Sequence, residues 1–176
     1  MGFFSLFRSK DPDSMAKELV APALDLEIGP EEMRWIDSLG VESHRYIAER
    51  NALRVGMTQA GIALALGTTR HTTSPGYKLE VAVERQFEQY FMAMPNLTAD
   101  EGRSLYRALS SHYIVLPPAE MAGIFHFALL HPRAWFDHER QSTPSYAIPE
   151  GFQPFVHALM RQPLKKALDM TKELDG

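Results

Sequence analysis

Apolar residues recur along most of this chain at intervals of three and four, the repeat that puts them on one face of a helix. The clearest case is Tyr77 to Met94, where Leu79, Val83, Phe87, Tyr90, Phe91 and Met94 form one stripe and Pro95 ends the run. Thr98-Ala99-Asp100-Glu101 has capping-box spacing, in which two side chains satisfy each other's backbone donors, and predicts a helix reaching about Val115. Gly29-Pro30-Glu31-Glu32 places a proline and two acids in a first turn; Trp35, Ile36 and Leu39 follow, and Gly40 supplies the stop. A helix from near Ser43 to Val55 is expected to end at Gly56, with Thr58 capping a short one through Leu66 and Gly67 closing it. Pro117-Pro118 forces a break, after which Ala119 to Leu130 is apolar nearly all round and belongs at the centre of a bundle. A turn of helix over 133–139, a loop over 141–151 and two helices over 152–161 and 164–174 complete the pattern.

Alternating runs are missing, and Tyr113 to Leu116 continues a capped helix rather than forming a strand. The pattern therefore predicts an all-α fold: a single compact, bundle-like domain of about eight helices over 13–176, preceded by an apolar arm over 1–12. Composition supports this: 45% apolar and 23% charged residues suit an ordinary globular domain. The absence of cysteine excludes disulfides, thiolate nucleophiles and zinc fingers. Met121 to Leu130, the longest uncharged apolar stretch, is half the length a bilayer span needs, and the opening MGFFSLFRSK is too short for a secretory signal, so a cytoplasmic location is expected.

Charge changes the picture in one place. Residues 43–78 hold Arg45, Arg50, Arg54, Arg70 and Lys78 against Glu49 alone, in a chain whose net charge is −4. Within that segment Gln59, Ala63 and Gly67, with Ile62 and Leu66 between them, resemble the first helix and turn of the helix-turn-helix family. The small residue lets a second helix approach, and the glycine makes the turn. The resemblance covers about ten residues and implies nucleic-acid recognition by a unit at 58–74. Beyond the turn the pattern lapses: Thr68 and Thr73 stand where apolar residues belong, and Ser74-Pro75-Gly76 would break the reading helix. Arg50 and Arg54, four apart, are expected to share an exposed helix face, and with Arg70 and His71 they are the candidate anion or nucleic-acid contacts.

His126, His131, Asp137, His138 and Glu139 crowd one stretch, but two helical metal ligands need a spacing of three or four and His126 and His131 are five apart. No metal site or cofactor is expected, and His126 is placed in the core. The paired acids Glu31-Glu32 and Asp100-Glu101 are read as first-turn residues facing the helix dipole. No catalytic motif occurs. Phe3, Phe4, Leu6 and Phe7 would form a greasy stripe on two helical turns, ended by residues 8–12, and they are the candidate partner-binding residues. Such an arm could also pack back on its own domain or lie on a membrane surface. The expectation is a non-enzymatic, protein-binding or accessory module; a nucleic-acid-binding regulator and a helical enzyme or small-ligand carrier are the alternatives.

Overall fold

A computed structural model of the chain describes residues 11–67, 71–94, 97–113, 123, 125–126, 128–130, 151 and 153–175. The apolar arm, the predicted helix over 133–139 and most of the loop over 141–151 lie outside the described residues. Among those described, every regular element is helical and no strand occurs.

The first helix, α1 (Pro12–Ala23), is one the sequence reading passed over. Asp11 caps it by accepting from the Ser14 N–H at 3.3 Å, and Pro12 fills the first position. Residues taken as the end of the arm are thus a helix start. Helix α2 (Pro30–Leu39) has the expected bounds, and Gly40 closes it in the left-handed region at φ 63°.

Helix α3 (Ser43–Leu66) is continuous where two helices were expected. Gly56 does not end it, and Thr58 does not cap: the Thr58 hydroxyl donates back to the Arg54 carbonyl at 2.9 Å, as a hydroxyl inside a helix does. Both residues are buried, so packing outweighs glycine's cost of about 1 kcal/mol.

Helix α4 (Pro75–Met92) begins at the triplet expected to break a helix. Ser74 accepts from the Tyr77 N–H at 3.1 Å and Pro75 takes the first position. Helix α5 (Ala99–Tyr113) opens with the predicted box: the Thr98 N–H donates to Glu101 Oε2 at 2.8 Å and the Glu101 N–H to Thr98 Oγ1 at 3.3 Å. Helix α6 (Gln153–Asp175) runs straight through Pro163, so it too is one helix where two were expected.

Helix α3 is the axis of the fold, buried along most of its length and packed most extensively on α6, with α5, α4 and α1 around it. Its polar residues Glu49, Arg50, Asn51, Thr58 and Gln59 are all buried. At Gly61 the α3 backbone meets α6 so closely that an added Cβ would lie 2.3 Å from the Leu164 carbonyl oxygen.

The expected central segment is present in part: helical residues between 123 and 130 bury Phe125, Ala128 and Leu129. Trp35 joins it to the rest, with its ring 5.8 Å from Tyr46, 5.9 Å from Phe125 and 5.3 Å from Phe155. These aromatic contacts gather α2, α3, α6 and the 123–130 segment into one core.

Candidate functional site

Helix α3 turns its arginines inward. Arg50 is fully buried: Nη1 donates to the Glu27 carbonyl at 2.6 Å and to Glu32 Oε1 at 3.0 Å, Nη2 donates to the Asp25 carbonyl, and the guanidinium stands 5.6 Å over the Tyr46 ring. Arg54 Nη1 donates to the Pro22 carbonyl at 3.2 Å. With its amide nitrogen facing them, Asn51 donates to the Ala23 and Asp25 carbonyls, both at 3.2 Å. A helix leaves its last carbonyls without donors, and here three residues of one α3 turn supply them to the end of α1 and the chain beyond it. Arg45 donates in the same way to the Ala128 carbonyl.

Helix α6 completes this arrangement at a different point. Pro22 has no N–H, so the carbonyl four residues earlier, that of Glu18, loses its helical donor. Lys166 Nζ stands in for it at 3.0 Å, with Glu18 Oε1 at 3.4 Å.

Glu32 organises the other half of the cluster. Oε1 accepts from the Tyr46 hydroxyl at 2.6 Å as well as from Arg50, and Oε2 accepts from the Gly29 N–H at 2.7 Å. Burial by itself raises the pKa of this carboxyl. The hydrogen bonds from Tyr46, Gly29 and Arg50 outweigh burial and hold it below the ordinary carboxylate range. Tyr46 is pushed upward, first by burial and then by its bond to Glu32. Burial lowers Arg54, and the Arg50 charge lowers it further. Glu32 was expected merely to face a helix dipole; with Arg50 it is instead a buried ion pair that ties the 24–29 connection to α3.

The expected basic face is therefore corrected. Arg50 and Arg54 lie on one side of α3 as their spacing requires, but that side faces α1 and the connection after it, so Arg50 offers nothing to a phosphate. His71 is exposed, and Arg70 lies outside the described residues. Phe3, Phe4, Leu6 and Phe7 lie outside them as well. His126 is buried as expected; neither ring nitrogen has a partner among the described residues, and burial lowers its pKa. Among the described residues no group of three His, Asp or Glu side chains could hold a metal, and no helix is long and apolar enough to cross a membrane.

A second cluster joins α3 to α5. Gln59 Nε2 donates to the Tyr106 hydroxyl at 3.1 Å, and Tyr106 is pushed up to about 12, by burial first and by the Glu84 charge next. Neither cluster lines the groove between α2 and the first turns of α6.

A concave surface lies elsewhere among the described residues. A groove of about 530 Å³ runs between α2 and the first turns of α6, lined by Glu31, Arg34, Trp35 and Ser38 on one side and by Pro154, Phe155 and Ala158 on the other, with Gly151 at its end. Glu31 and Arg34 form an exposed pair at 3.9 Å on its rim. Sequence reasoning missed the groove because its walls are more than a hundred residues apart. The one available signal was the amphipathic α2 pattern, which buries Trp35 and leaves the flanking charges outside. Comparison with protein families, with curated proteins and with solved structures gives no match to this chain.

Proposed function

We propose that this chain is a non-enzymatic binding or accessory module that receives a protein partner in the groove between α2 and α6, with the apolar arm at Phe3, Phe4, Leu6 and Phe7 as a second contact. The observation that carries this reading is where the polar chemistry goes. Arg50, Asn51, Arg54 and Glu32 are used on internal carbonyls and on one another, whereas the groove combines an aromatic floor with a charged, solvated rim. An apolar centre with a polar rim is the usual anatomy of a recognition surface.

The test is affinity purification of the tagged full chain from its native cells, with and without nuclease. It would compare the parent with Ala158→Arg, which fills the groove from an exposed position, and with the Phe3/Phe4/Phe7→Ser variant. A partner at near-equal stoichiometry that survives nuclease and is lost in Ala158→Arg at an unchanged melting temperature supports the reading. A partner retained by both variants refutes it. Nucleic acid that vanishes with nuclease, without a stoichiometric protein, would favour a regulator that meets phosphate through Arg70 and His71. The groove volume also falls within the range of small-ligand sites, so a carrier is the second reading. Thermal stabilisation of the parent by a small molecule, abolished in Ala158→Arg, would favour it.

A further inference from the structure

We draw no further inference here: the strongest candidate, the groove between α2 and the first turns of α6, belongs to the site already described, and nothing in the structure shows what covers it.

Discussion

Replacing Gly61 by alanine tests the close approach of α3 to α6. An alanine Cβ would stand 2.3 Å from the Leu164 carbonyl oxygen and 2.9 Å from Ala167 Cβ, whereas ordinary contacts begin at 3.4 Å. Helices α3 and α6 must then part by ~1 Å, enough to forfeit a quarter to a half of the dispersion energy of each contact along the seam. Forcing a methyl into a packed core costs about 1–3 kcal/mol. The upper end applies here, because the obstructing oxygen belongs to a helix backbone and cannot rotate away. Alanine returns about 1 kcal/mol through its better helix propensity. The expected net loss is about 2 kcal/mol, or a melting temperature lower by roughly 4–8 °C for a chain of this size. Thermal melts followed by circular dichroism and urea midpoints measure it, with exposed Leu64→Ala as a control expected within about 0.5 kcal/mol. A Gly61→Ala midpoint equal to or above the parent's would refute the reasoning, since propensity would then be acting without any clash.

Neighbouring glutamates should behave in opposite ways. Glu32→Ala leaves Arg50 buried without its carboxylate and should cost about 3–5 kcal/mol, whereas Glu31→Ala removes half of an exposed pair and should change stability by less than about 1 kcal/mol; urea midpoints decide. The folded pKa of Glu32 lies below its ordinary 4.5, so its contribution is fully present above pH 4.5 and is lost as pH falls through the folded value; acid titration of the parent against Glu32→Gln should show that loss in the parent alone. His126 also has a lowered folded pKa, so below pH 6.5 the unfolded chain binds a proton that the folded chain refuses. Stability should therefore fall faster between pH 7 and 5 in the parent than in His126→Leu, and equal slopes would contradict this. Lys166→Met should cost about 1 kcal/mol in the parent but less in a Pro22→Ala background, where residue 22 regains the N–H that Glu18 lacks; an additive double-mutant cycle would refute that coupling.

The parts of this fold legible in the sequence are those governed by neighbours in sequence. The Gly29–Gly40 frame of α2 and the Thr98–Glu101 box were readable because a cap and a stop are made by residues a few places apart. Where packing competes with local preference, the local signal misled. Gly56 and Pro163 carry the residue types that end helices, yet both sit inside long ones held by the α3–α6 contact. Asp11-Pro12-Asp13 was ambiguous in itself, since the residues that stop an arm are those that start a helix. Arg50 and Arg54 show the deeper limit: spacing establishes that two side chains share a face and says nothing of which way the face points. Ala52, Leu53, Val55 and Met57 take the rest of the circumference and leave Arg50, Asn51, Arg54 and Thr58 together on one polar sector, which reads locally as a wet face. For the groove the amphipathic α2 pattern marked one wall only, since the other comes from α6, more than a hundred residues on.

Lys166 reaches back 148 residues to the Glu18 carbonyl, which gives this fold an order in time. During synthesis α1 leaves the ribosome before every other described helix, yet the carbonyls of its last turn wait for Arg54 and Asn51, and its proline gap waits for Lys166. At about 5–20 residues per second, the interval between Glu18 and Lys166 is about 7–30 s. For that time the Glu18 carbonyl lacks its native donor, although α4, on which α1 packs most extensively, is made earlier. The first of these helices to be made thus receives its last hydrogen bond only when the final one docks.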